Sequence, residues 1–263
     1  MSLNKISVVL ITLNESRNLA RCLESVRDIA DEIVVLDSFS TDDTVAIAER
    51  FGARVVRQKF AGYVAQKNDA TALATHDWVL SLDADEAPSE ALRESLLRFK
   101  QSVPEHDAYA FARLTNYCGS WIRHSGWYPD KKVRLFRKNA GLWVGENLHE
   151  SWELTQKAGG YGFLKGDLLH YSFYSISGHI RQIEAFTEIA ARTAAARGKK
   201  ASILKIWGAP KWRFFQDFIL RRGFLDGYPG YLVCKFSAFY TQLKYAKIRQ
   251  YAQQSRSNQE PEL

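Results

Sequence analysis

The sequence is poor in cysteine, and the few cysteines present are not arranged in pairs. Cys22, Cys118 and Cys234 are the only three among 263 residues, and none forms a C-x-x-C motif with another. An odd number at such wide spacing argues against a disulfide framework and against a structural zinc site. The composition therefore indicates a protein of a reducing compartment.

Long uncharged apolar runs are also missing. No stretch reaches the roughly 18 residues that a membrane-spanning helix needs. The first apolar segment, ISVVLITL (6–13), is followed at once by Asn14 and Glu15 and has no small-residue cleavage site, so it does not read as a secretory signal. We expect a cytoplasmic protein without a conventional transmembrane helix.

Acidic residues are scarce in one region. Residues 199–249 contain 11 Lys or Arg, 12 aromatic residues and two acidic residues, a segment charge of +9 in a chain whose total is +7. Four large apolar residues of this segment fall on one helical face: Trp212, Phe215, Phe218 and Ile219. A basic amphipathic helix with aromatic residues is typical of binding to a membrane surface. An ordinary helical extension with solvated charges is the alternative, and both interpretations stay open.

The first hundred residues alternate between two periodicities. Apolar runs typical of strands are followed by stretches with the apolar spacing of helices, in the order β-α-β-α-β-α-β-α. The predicted strands are 6–13, 32–37, 54–57 and 78–82, and the predicted helices are 18–28, 40–52, 64–74 and 89–100. This alternation predicts an α/β fold with a mostly parallel sheet and helices on both faces.

Beyond residue 105 the pattern changes. The segments 107–113 and 132–137 alternate and are rich in aromatic or β-branched residues, so we expect them to be strands of a mixed extension. From residue 179 the pattern is helical. We therefore assign residues 1–178 to one α/β domain, 179–254 to a helical, basic and aromatic C-terminal extension, and 255–263 to a disordered tail.

Acidic residues stand at the carboxyl ends of the predicted strands. Glu15 follows the first strand, Asp37 ends the second, and WVLSLDADE (78–86) closes the fourth with Asp83, Asp85 and Glu86. Ligands of parallel α/β sheets bind beyond these ends, and crowded carboxylates need a cation or water between them. A D-x-D motif alone does not separate a site from a solvated turn, but three acidic strand ends on one edge favour a site.

The motifs at these ends resemble those of a known family. TLNE (12–15), DSFSTDDT (37–44), QKN (66–68) and LDADE (82–86) occur in the order seen in family 2 glycosyltransferases, which have the GT-A fold, a Rossmann-like α/β architecture. Further on, RLFRK (134–138), VGENLHE (144–150) and residues 223–247 resemble a narrower group. That group is the lipopolysaccharide-core β-glucosyltransferases of the WaaE/KdtX type.

This resemblance implies a nucleotide-sugar site that depends on a divalent cation, Mg²⁺ or Mn²⁺. Carboxylate oxygens suit such a cation, which neutralises the diphosphate as it leaves. By resemblance, Asp85 is a direct metal ligand, Asp83 lies near the ribose or the metal, and Asp37 contacts the uracil or ribose. His149 is a further candidate ligand, since imidazole suits Mn²⁺. The remaining nucleotide-binding residues that the resemblance implies are Thr12, Asn14, Glu15 and Lys67.

Inverting transfer also requires a general base for the acceptor hydroxyl group. In this family the base is one carboxylate located after the D-x-D, and here the candidates are Glu146 and Glu150, with Asp130 as a weaker third. The sequence does not separate the two glutamates; we favour Glu150 because the His-Glu pair recurs in related members. The Q-x-x-R-W motif and membrane-span bundle of processive synthases are missing, so a single transfer is expected.

The resemblance implies UDP-glucose as donor and a lipopolysaccharide inner-core acceptor such as heptose. An anionic glycolipid would also explain the basic segment, which would place the protein peripherally on the cytoplasmic face of the inner membrane. Two alternatives remain: another family 2 glycosyltransferase with a different glycan or lipid acceptor, and a membrane-surface lipid-binding module without catalysis. No nucleic-acid motif accompanies the basic segment, so we do not expect a nucleic-acid partner.

Two other enzyme classes fit less well. A D-x-D phosphatase of the haloacid dehalogenase class has its motif after the first strand, whereas here the motif follows the fourth. A sugar nucleotidyltransferase would need a Gly-rich, Arg-containing loop after strand one, and TLNESRN (12–18) contains no glycine.

Overall fold

A computed structural model describes residues 3–145, 150–156 and 160–257 of the chain. The chain folds as two compact units: unit 1 runs to Leu114 and resumes at Pro129–Tyr171, and unit 2 comprises Thr115–Tyr128 and the chain from Ser172 onward. The sequence predicts one boundary, at residue 178, between the α/β domain and the helical extension. Thr115–Tyr128 groups with the helical unit because Tyr117 and Ile122 share a buried cluster with Val233.

The first half of unit 1 has the predicted alternation of strands and helices. Four neighbouring parallel strands are β3 (Arg54–Arg57), β2 (Glu32–Asp37), β1 (Ile6–Thr12) and β4 (Trp78–Asp83). The helices between and after them are α1 (Leu19–Ser25), α2 (Thr44–Arg50), α3 (Tyr63–Leu73) and α4 (Glu90–Phe99). Because the strand order is 3-2-1-4, the carboxyl ends of β1, β2 and β4 are adjacent.

Helices cover both faces of this sheet. Side chains of α1, α2 and α4 pack with Ile6, Val8 and Leu10 of β1, whereas α3 packs in a second cluster that contains Val9. Successive strand residues point to opposite faces, so a nearly continuous apolar run such as ISVVLIT indicates a strand buried on both sides. The predicted α/β class with helices on both faces is confirmed.

The other strands of unit 1 form the predicted mixed extension and a small separate sheet. They are β5 (Glu86–Pro88), β6 (Ala108–Tyr117), β8 (Asp130–Arg137), β9 (Gly141–Val144), β10 (Ser151–Leu154) and β11 (Gly162–Phe173), with β6 and β11 continuing into unit 2. β8 pairs antiparallel with β4 and with β6, and β5 pairs antiparallel with β11. β9 and β10 form a two-stranded antiparallel sheet.

Unit 2 is helical, as predicted for the C-terminal extension. It contains β7 (Ser120–Ile122), α5 (Ile176–Ala196), α6 (Ile203–Phe215), a π-helical turn (Gln216–Leu220), a 3₁₀ turn (Gly223–Asp226) and α7 (Gly227–Ser257). α7 packs against α5 and α6, and it continues to Ser257, so residues 255–257 of the predicted tail are helical. Within the described ranges, no helix is both long enough and apolar enough to cross a bilayer.

Candidate active site

Three strand ends bring the predicted acidic residues together in unit 1. In the parallel ladder, Thr12 lies beside Asp37 and Ile11 beside Asp83. The side chain of Thr12 donates a hydrogen bond of 2.9 Å to Oδ1 of Asp37. We call Glu15, Asp37, Asp83 and Asp85 the carboxylate rim, since they lie on or just beyond these adjacent strand ends.

The two loops after β1 and β2 are tied to each other. Asn14 has a φ of +55°, and its Oδ1 accepts a hydrogen bond of 2.8 Å from the backbone N–H of Thr41. The backbone N–H groups of Asn14 and Glu15 donate to the hydroxyl groups of Ser40 (2.9 Å) and Thr44 (2.7 Å). A short polar side chain tolerates the left-handed region better than most residues do, which explains Asn at this turn.

Asp37 stabilises the loop after β2 through hydrogen bonds with Ser40 and ties it to Thr12 at the end of β1. Its carboxylate is fully buried and accepts hydrogen bonds from Thr12 Oγ1 (2.9 Å), the backbone N–H of Ser40 (2.8 Å) and the hydroxyl group of Ser40 (2.5 Å). These contacts show a role in shaping the loop. The contact of Asp37 with a uracil or ribose, implied by the sequence resemblance, stays a prediction.

Asp83 lies between two buried cations. Its Oδ1 is 2.9 Å from Lys67 Nζ, and its Oδ2 is 2.6 Å from Arg134 Nη2. Burial raises the pKa of Asp83, but the charges of Arg134 and Lys67 outweigh it and hold this pKa well below its usual range. Asp83 therefore stays ionised at every physiological pH, with both oxygens engaged by protein cations.

Glu86 is the fully buried anchor of this cluster. Its Oε1 is 2.8 Å from Arg134 Nη2 and 3.4 Å from Arg113 Nη1, and its Oε2 accepts a hydrogen bond of 3.0 Å from the backbone N–H of Asp83. Burial lowers the pKa of Arg134, but the charges of Asp83 and Glu86 raise this pKa by a larger amount, so the guanidinium stays charged. Sequence reasoning gave Arg134 no role; the only signal for it was the need of crowded carboxylates for a cation.

Asp85 has a different neighbour. Its Oδ2 is 3.2 Å from His170 Nε2, and its backbone carbonyl accepts a hydrogen bond of 2.9 Å from the N–H of Tyr171, which positions β11 beside the D-x-D turn. His170 was missed from sequence, because nothing near it signals a site. A carboxylate beside an imidazole suits Mn²⁺.

Among the described residues, Asp85 and His170 fit a divalent cation whose remaining coordination positions are filled by a bound ligand. None of the His, Cys, Asp and Glu side chains in the described ranges form a group of three that could hold a metal alone. Protein sites for Mg²⁺ commonly use one or two carboxylates together with substrate phosphates, which is the situation that Asp85 offers. His149, the other candidate ligand from the sequence, lies outside the described residues.

The pKa of Glu15, a member of the carboxylate rim, depends on the charges of its neighbours. Burial raises its pKa, a hydrogen bond of 2.9 Å from Asn18 lowers it, and the negative charges of Asp85, Asp42 and Asp83 raise it again, for a net increase. A cation bound near Asp85 would reverse the effect of these charges.

The three candidates for the general base differ in their environments. Glu150 Oε1 is 3.4 Å from Lys67 Nζ, while its Oε2 is buried and has no hydrogen-bond partner among the described residues. Asp130 Oδ2 accepts hydrogen bonds from Arg113 (3.0 and 2.7 Å), and its Oδ1 pairs with Lys132 (3.2 Å), so both oxygens are engaged. Glu146 lies outside the described residues.

The QKN motif on α3 connects these parts in three directions. Gln66 Nε2 donates to Ser38 Oγ (3.2 Å) in the loop after β2, and Lys67 reaches Asp83 and Glu150. Asn68 exchanges two hydrogen bonds with the backbone of Trp143, of 3.0 and 2.9 Å. Consecutive helical residues point about 100° apart, which is why three neighbouring side chains reach three different segments.

Comparison with known proteins identifies relatives along almost the whole chain. The family model described as glycosyl transferase family 2 matches residues 7–155. A glycosyltransferase of Rickettsia felis is 33% identical over 94% of this chain and 90% of the relative. The lipopolysaccharide core biosynthesis glycosyltransferase LpsC of Rhizobium meliloti is 27% identical over 93% of this chain and 92% of the relative.

Solved structures are similar over a shorter range. Glucosyl-3-phosphoglycerate synthase of Mycobacterium tuberculosis, crystallised with Mn²⁺, UDP and glucosyl-3-phosphoglycerate, is 27% identical over 43% of this chain and 45% of that chain, with a TM-score of 0.36. The same synthase has been crystallised with Mg²⁺ and UDP. The match spans less than half of that protein.

Proposed function

Because the chain belongs to glycosyl transferase family 2, we propose that it transfers glucose from UDP-glucose to a lipopolysaccharide inner-core acceptor such as heptose, with inversion at the anomeric carbon. The acceptor class is supported by the likeness to LpsC along nearly the full length of both chains. Glucose, heptose and inversion rest on the motifs quoted above. The observation that carries the proposal is the carboxylate rim, in which Asp83 and Asp85 have different partners.

Asp83 and Asp85 would have different tasks. Both oxygens of Asp83 are engaged by Lys67 and Arg134, so this residue suits the positioning of Lys67 and of a nearby ribose hydroxyl group better than direct coordination. Asp85, with His170 beside it, would hold the cation. A divalent ion bound there would neutralise the charge that develops on the leaving diphosphate.

Glu150 would act as the general base. Lys67 holds Oε1, which leaves Oε2 as the oxygen that accepts the proton of the acceptor hydroxyl group during attack on the anomeric carbon. A general base contributes about 10²- to 10⁴-fold to such a reaction. Asp130 is the poorer candidate, because Arg113 and Lys132 already engage its two oxygens.

Calorimetric titration with UDP, with and without Mn²⁺, tests the nucleotide and metal assignments. We expect binding that requires Mn²⁺, that is lost in Asp85→Asn and that is kept in Asp77→Asn, a matched control because Asp77 is exposed just before the other end of β4. Metal-independent UDP binding that Asp85→Asn leaves unchanged would overturn the role of Asp85. Absence of any UDP binding would overturn the donor, and a screen of other sugar nucleotides would follow.

We also propose that unit 2 contacts an anionic membrane surface. Its exposed apolar side chains include Leu204, Trp207, Trp212, Leu225 and Tyr228, and we call the surface formed by residues 203–231 the basic aromatic surface. The two acidic residues of this range do not reach it, because Asp217 is fully buried between Arg213 and Arg221 and the side chain of Asp226 is 6% exposed beside His124. Apolar and basic groups without exposed acids fit the headgroup region of an anionic leaflet.

Co-sedimentation with vesicles of phosphatidylglycerol and phosphatidylethanolamine tests this surface. We expect the protein to bind at physiological salt, Trp207→Ser combined with Trp212→Ser to weaken binding, and Val103→Ser, an exposed apolar residue of unit 1, to have no effect. Unchanged binding of the double variant would overturn the proposal. Vesicle binding without any glycosyl transfer would favour the lipid-binding module instead of the enzyme.

A further inference from the structure

Unit 2 contains a histidine and an aspartate whose side chains are paired and that no step of the proposed function uses. His124 Nδ1 is 2.7 Å from Oδ1 of Asp226, and Oδ2 of Asp226 accepts the backbone N–H groups of Arg123 (3.1 Å) and His124 (2.8 Å). An ionised carboxylate only accepts hydrogen bonds, so Nδ1 carries a proton and donates to Asp226. The pair therefore fixes the orientation of the imidazole ring and leaves Nε2 as the atom that can contact a ligand.

A guanidinium group lies beside this histidine. A Cβ on Gly126 would be 2.7 Å from Nη1 of Arg221, so the Arg221 side chain lies against the backbone two residues after His124. Arg221 Nη1 pairs with Asp217 at 3.0 Å. Within the part of the chain that the structure describes, neither Nε2 of His124 nor Nε and Nη2 of Arg221 has a hydrogen-bond partner. The two side chains are 33% and 41% exposed, so a ligand from solution can reach them.

The backbone around these groups has an uncommon conformation. Ser125 (φ +59°) and Arg222 (φ +55°) both lie in the left-handed region, and the backbone N–H of Ser125 donates to the carbonyl oxygen of Arg221 at 3.0 Å. Residues other than glycine rarely adopt this region, and those that do cluster at functional sites. Two others, Asn14 and Phe39, belong to the loops of the candidate active site. The strained pair in unit 2 therefore favours a second site.

Close packing holds the segment after this pair in place. A Cβ on Gly230 would lie 2.1 Å from the carbonyl oxygen of Gly223, and one on Gly223 would lie 2.6 Å from Sγ of Cys234. The π-helical turn Gln216–Leu220 leads into the segment, and such turns are frequent at functional sites. Because only glycine fits at these two contacts, the packing keeps Asp226 and the arginines in one arrangement.

The charge and the apolar groups near the pair indicate the class of ligand. Residues 121–128 and 213–228 contain four arginines and two aspartates, an excess of two positive charges that favours an anion. Leu225 and Tyr228, on either side of Asp226 in the sequence, are 55% and 68% exposed. Apolar side chains beside cations fit the headgroup depth of a bilayer. A phosphate monoester has three terminal oxygens, so it suits donors from two chain segments better than a diester does.

We propose that His124 and Arg221 bind the phosphate monoester headgroup of a membrane lipid, an inference that rests on the proposed membrane contact of unit 2. Nε and Nη2 of Arg221 donate to phosphate oxygens. Nε2 of His124 donates to another oxygen when the ring is protonated, and in the neutral ring it accepts from the hydroxyl group of a monoanionic phosphate. Asp226 is a positioning residue, because it orients His124 through Nδ1 and does not contact the phosphate.

Co-sedimentation with two kinds of vesicle tests this site. One kind contains phosphatidic acid, a phosphate monoester, and the other contains phosphatidylglycerol, a diester, both in phosphatidylcholine. The two are adjusted to equal zeta potential, so the non-specific attraction of the basic aromatic surface is the same for both. We expect the wild-type protein to bind the phosphatidic acid vesicles more tightly.

Two variants remove the proposed donors while keeping the local pairs. His124→Asn retains a donor for Asp226 but lacks Nε2, and Arg221→Lys retains the charge beside Asp217 but lacks the fork of donors. Each should lower the preference for phosphatidic acid about three- to tenfold. Arg213→Lys is the matched control and should keep the preference, because Arg213 pairs with the same Asp217 from one helical turn earlier. A variant that only misfolds would lose binding to both kinds of vesicle.

An NMR titration with sn-glycerol 3-phosphate distinguishes a lipid from a soluble phosphate. It follows the Nε2 signal of His124 in protein labelled with ¹⁵N at histidine, and His124→Asn assigns this signal. Equal binding to the two kinds of vesicle, without a shift of the signal, overturns the site and leaves the membrane contact standing. A shift without binding to either kind overturns the membrane contact and leaves a site for a soluble phosphate monoester. A preference that both His124→Asn and Arg221→Lys retain overturns the assignment to these residues.

Discussion

Two charged clusters of the molecule have opposite polarity. In unit 1 the side chains of Lys67 and Arg134 are each 4% exposed, whereas their partner Asp83 is 30% exposed. At the basic aromatic surface of unit 2 the order is reversed, with Asp217 fully buried and the side chains of Arg213 and Arg221 40% and 41% exposed. The cations that pair with Asp83 are more buried than Asp83 itself, whereas Asp217 is more buried than its cations; Glu86, the second anion of the unit 1 cluster, is also buried.

This difference teaches that the buried member of a charged cluster fixes which charge the surface presents. A buried charge needs an opposite partner, so its partner is held in place wherever the fold puts it. Buried cations in unit 1 hold Asp83 at the rim, where the proposed function places a ribose hydroxyl group and, beside it, a metal ion. A buried carboxylate in unit 2 holds guanidinium groups at the surface, where they suit phosphate headgroups.

Glu150→Gln should have the largest effect, because it removes the proposed proton acceptor on the unit 1 side of the comparison. We expect kcat to fall about 10²- to 10⁴-fold while UDP affinity is unchanged, measured by sugar transfer and by calorimetry. Glu153→Gln, an exposed glutamate of β10 three residues after Glu150, is the control and should keep full activity. Full activity in Glu150→Gln, with loss in Glu146→Gln, would transfer the role to Glu146.

Arg134→Met should destabilise the protein by about 3–5 kcal/mol, because it leaves Glu86 buried without its closest cation. Asp217→Asn should cost less, about 1–2 kcal/mol, because Arg213 and Arg221 remain half exposed and regain water. Urea denaturation followed by tryptophan fluorescence measures both. Equal losses of unfolding free energy in the two variants would contradict this comparison, because the burial of the remaining charged partner would then not determine the loss.

His179 gives unit 2 a pH dependence in the acidic range. Burial among aromatic rings lowers its pKa from 6.5 to about 4, so the unfolded chain binds a proton that the folded one does not. Stability is therefore full above pH 6.5 and falls as the pH drops towards 4, by about 3 kcal/mol in total. His179→Gln should flatten this part of the stability profile, and His76→Gln in unit 1 should not. A slope that persists in His179→Gln would assign it to other groups.

Arg192→Leu should have the smallest effect. Arg192 pairs at 2.6 Å with Glu188, one helical turn earlier, and its own side chain is 71% exposed. Such pairs contribute about 0.3–0.5 kcal/mol, so the denaturation midpoint should scarcely move. A loss comparable to that of Arg134→Met would show that exposure does not separate the two kinds of ion pair.

The parallel half of the sheet was predictable because local signals bound its strands. β2 and β3 begin and end at the predicted residues, and the limits of the four predicted helices lie within one to four residues of those expected. β5 could not be predicted, since EAP has no strand pattern and exists as a strand only through pairing with Leu168–His170 far along the chain. The same non-local pairing explains the unpredicted β11, whereas β9 and β10, also unpredicted, pair with each other across residues 145–150.

The candidate site likewise contains some residues that local sequence signals predict and others that they do not. The acidic strand ends were readable because carboxyl ends of parallel strands must share an edge. Arg134 and His170 were not, because a strand residue's partner depends on sheet order, and β8 and β11 join the sheet out of chain order. The proximity of Lys67 to both Asp83 and Glu150 also depends on how α3 packs, which no local pattern encodes.

Cys22 of α1 is fully buried, and its thiol donates to the carbonyl oxygen of Asp83 at 3.7 Å. Burial raises the pKa of this thiol well above its ordinary value, with the charges of Glu86, Asp85 and Asp83 adding to the effect. Because the thiol is fully buried, alkylating reagents can reach it only when α1 separates from β4. The alkylation rate of Cys22, compared with that of exposed Cys118, therefore measures how often α1 separates from β4.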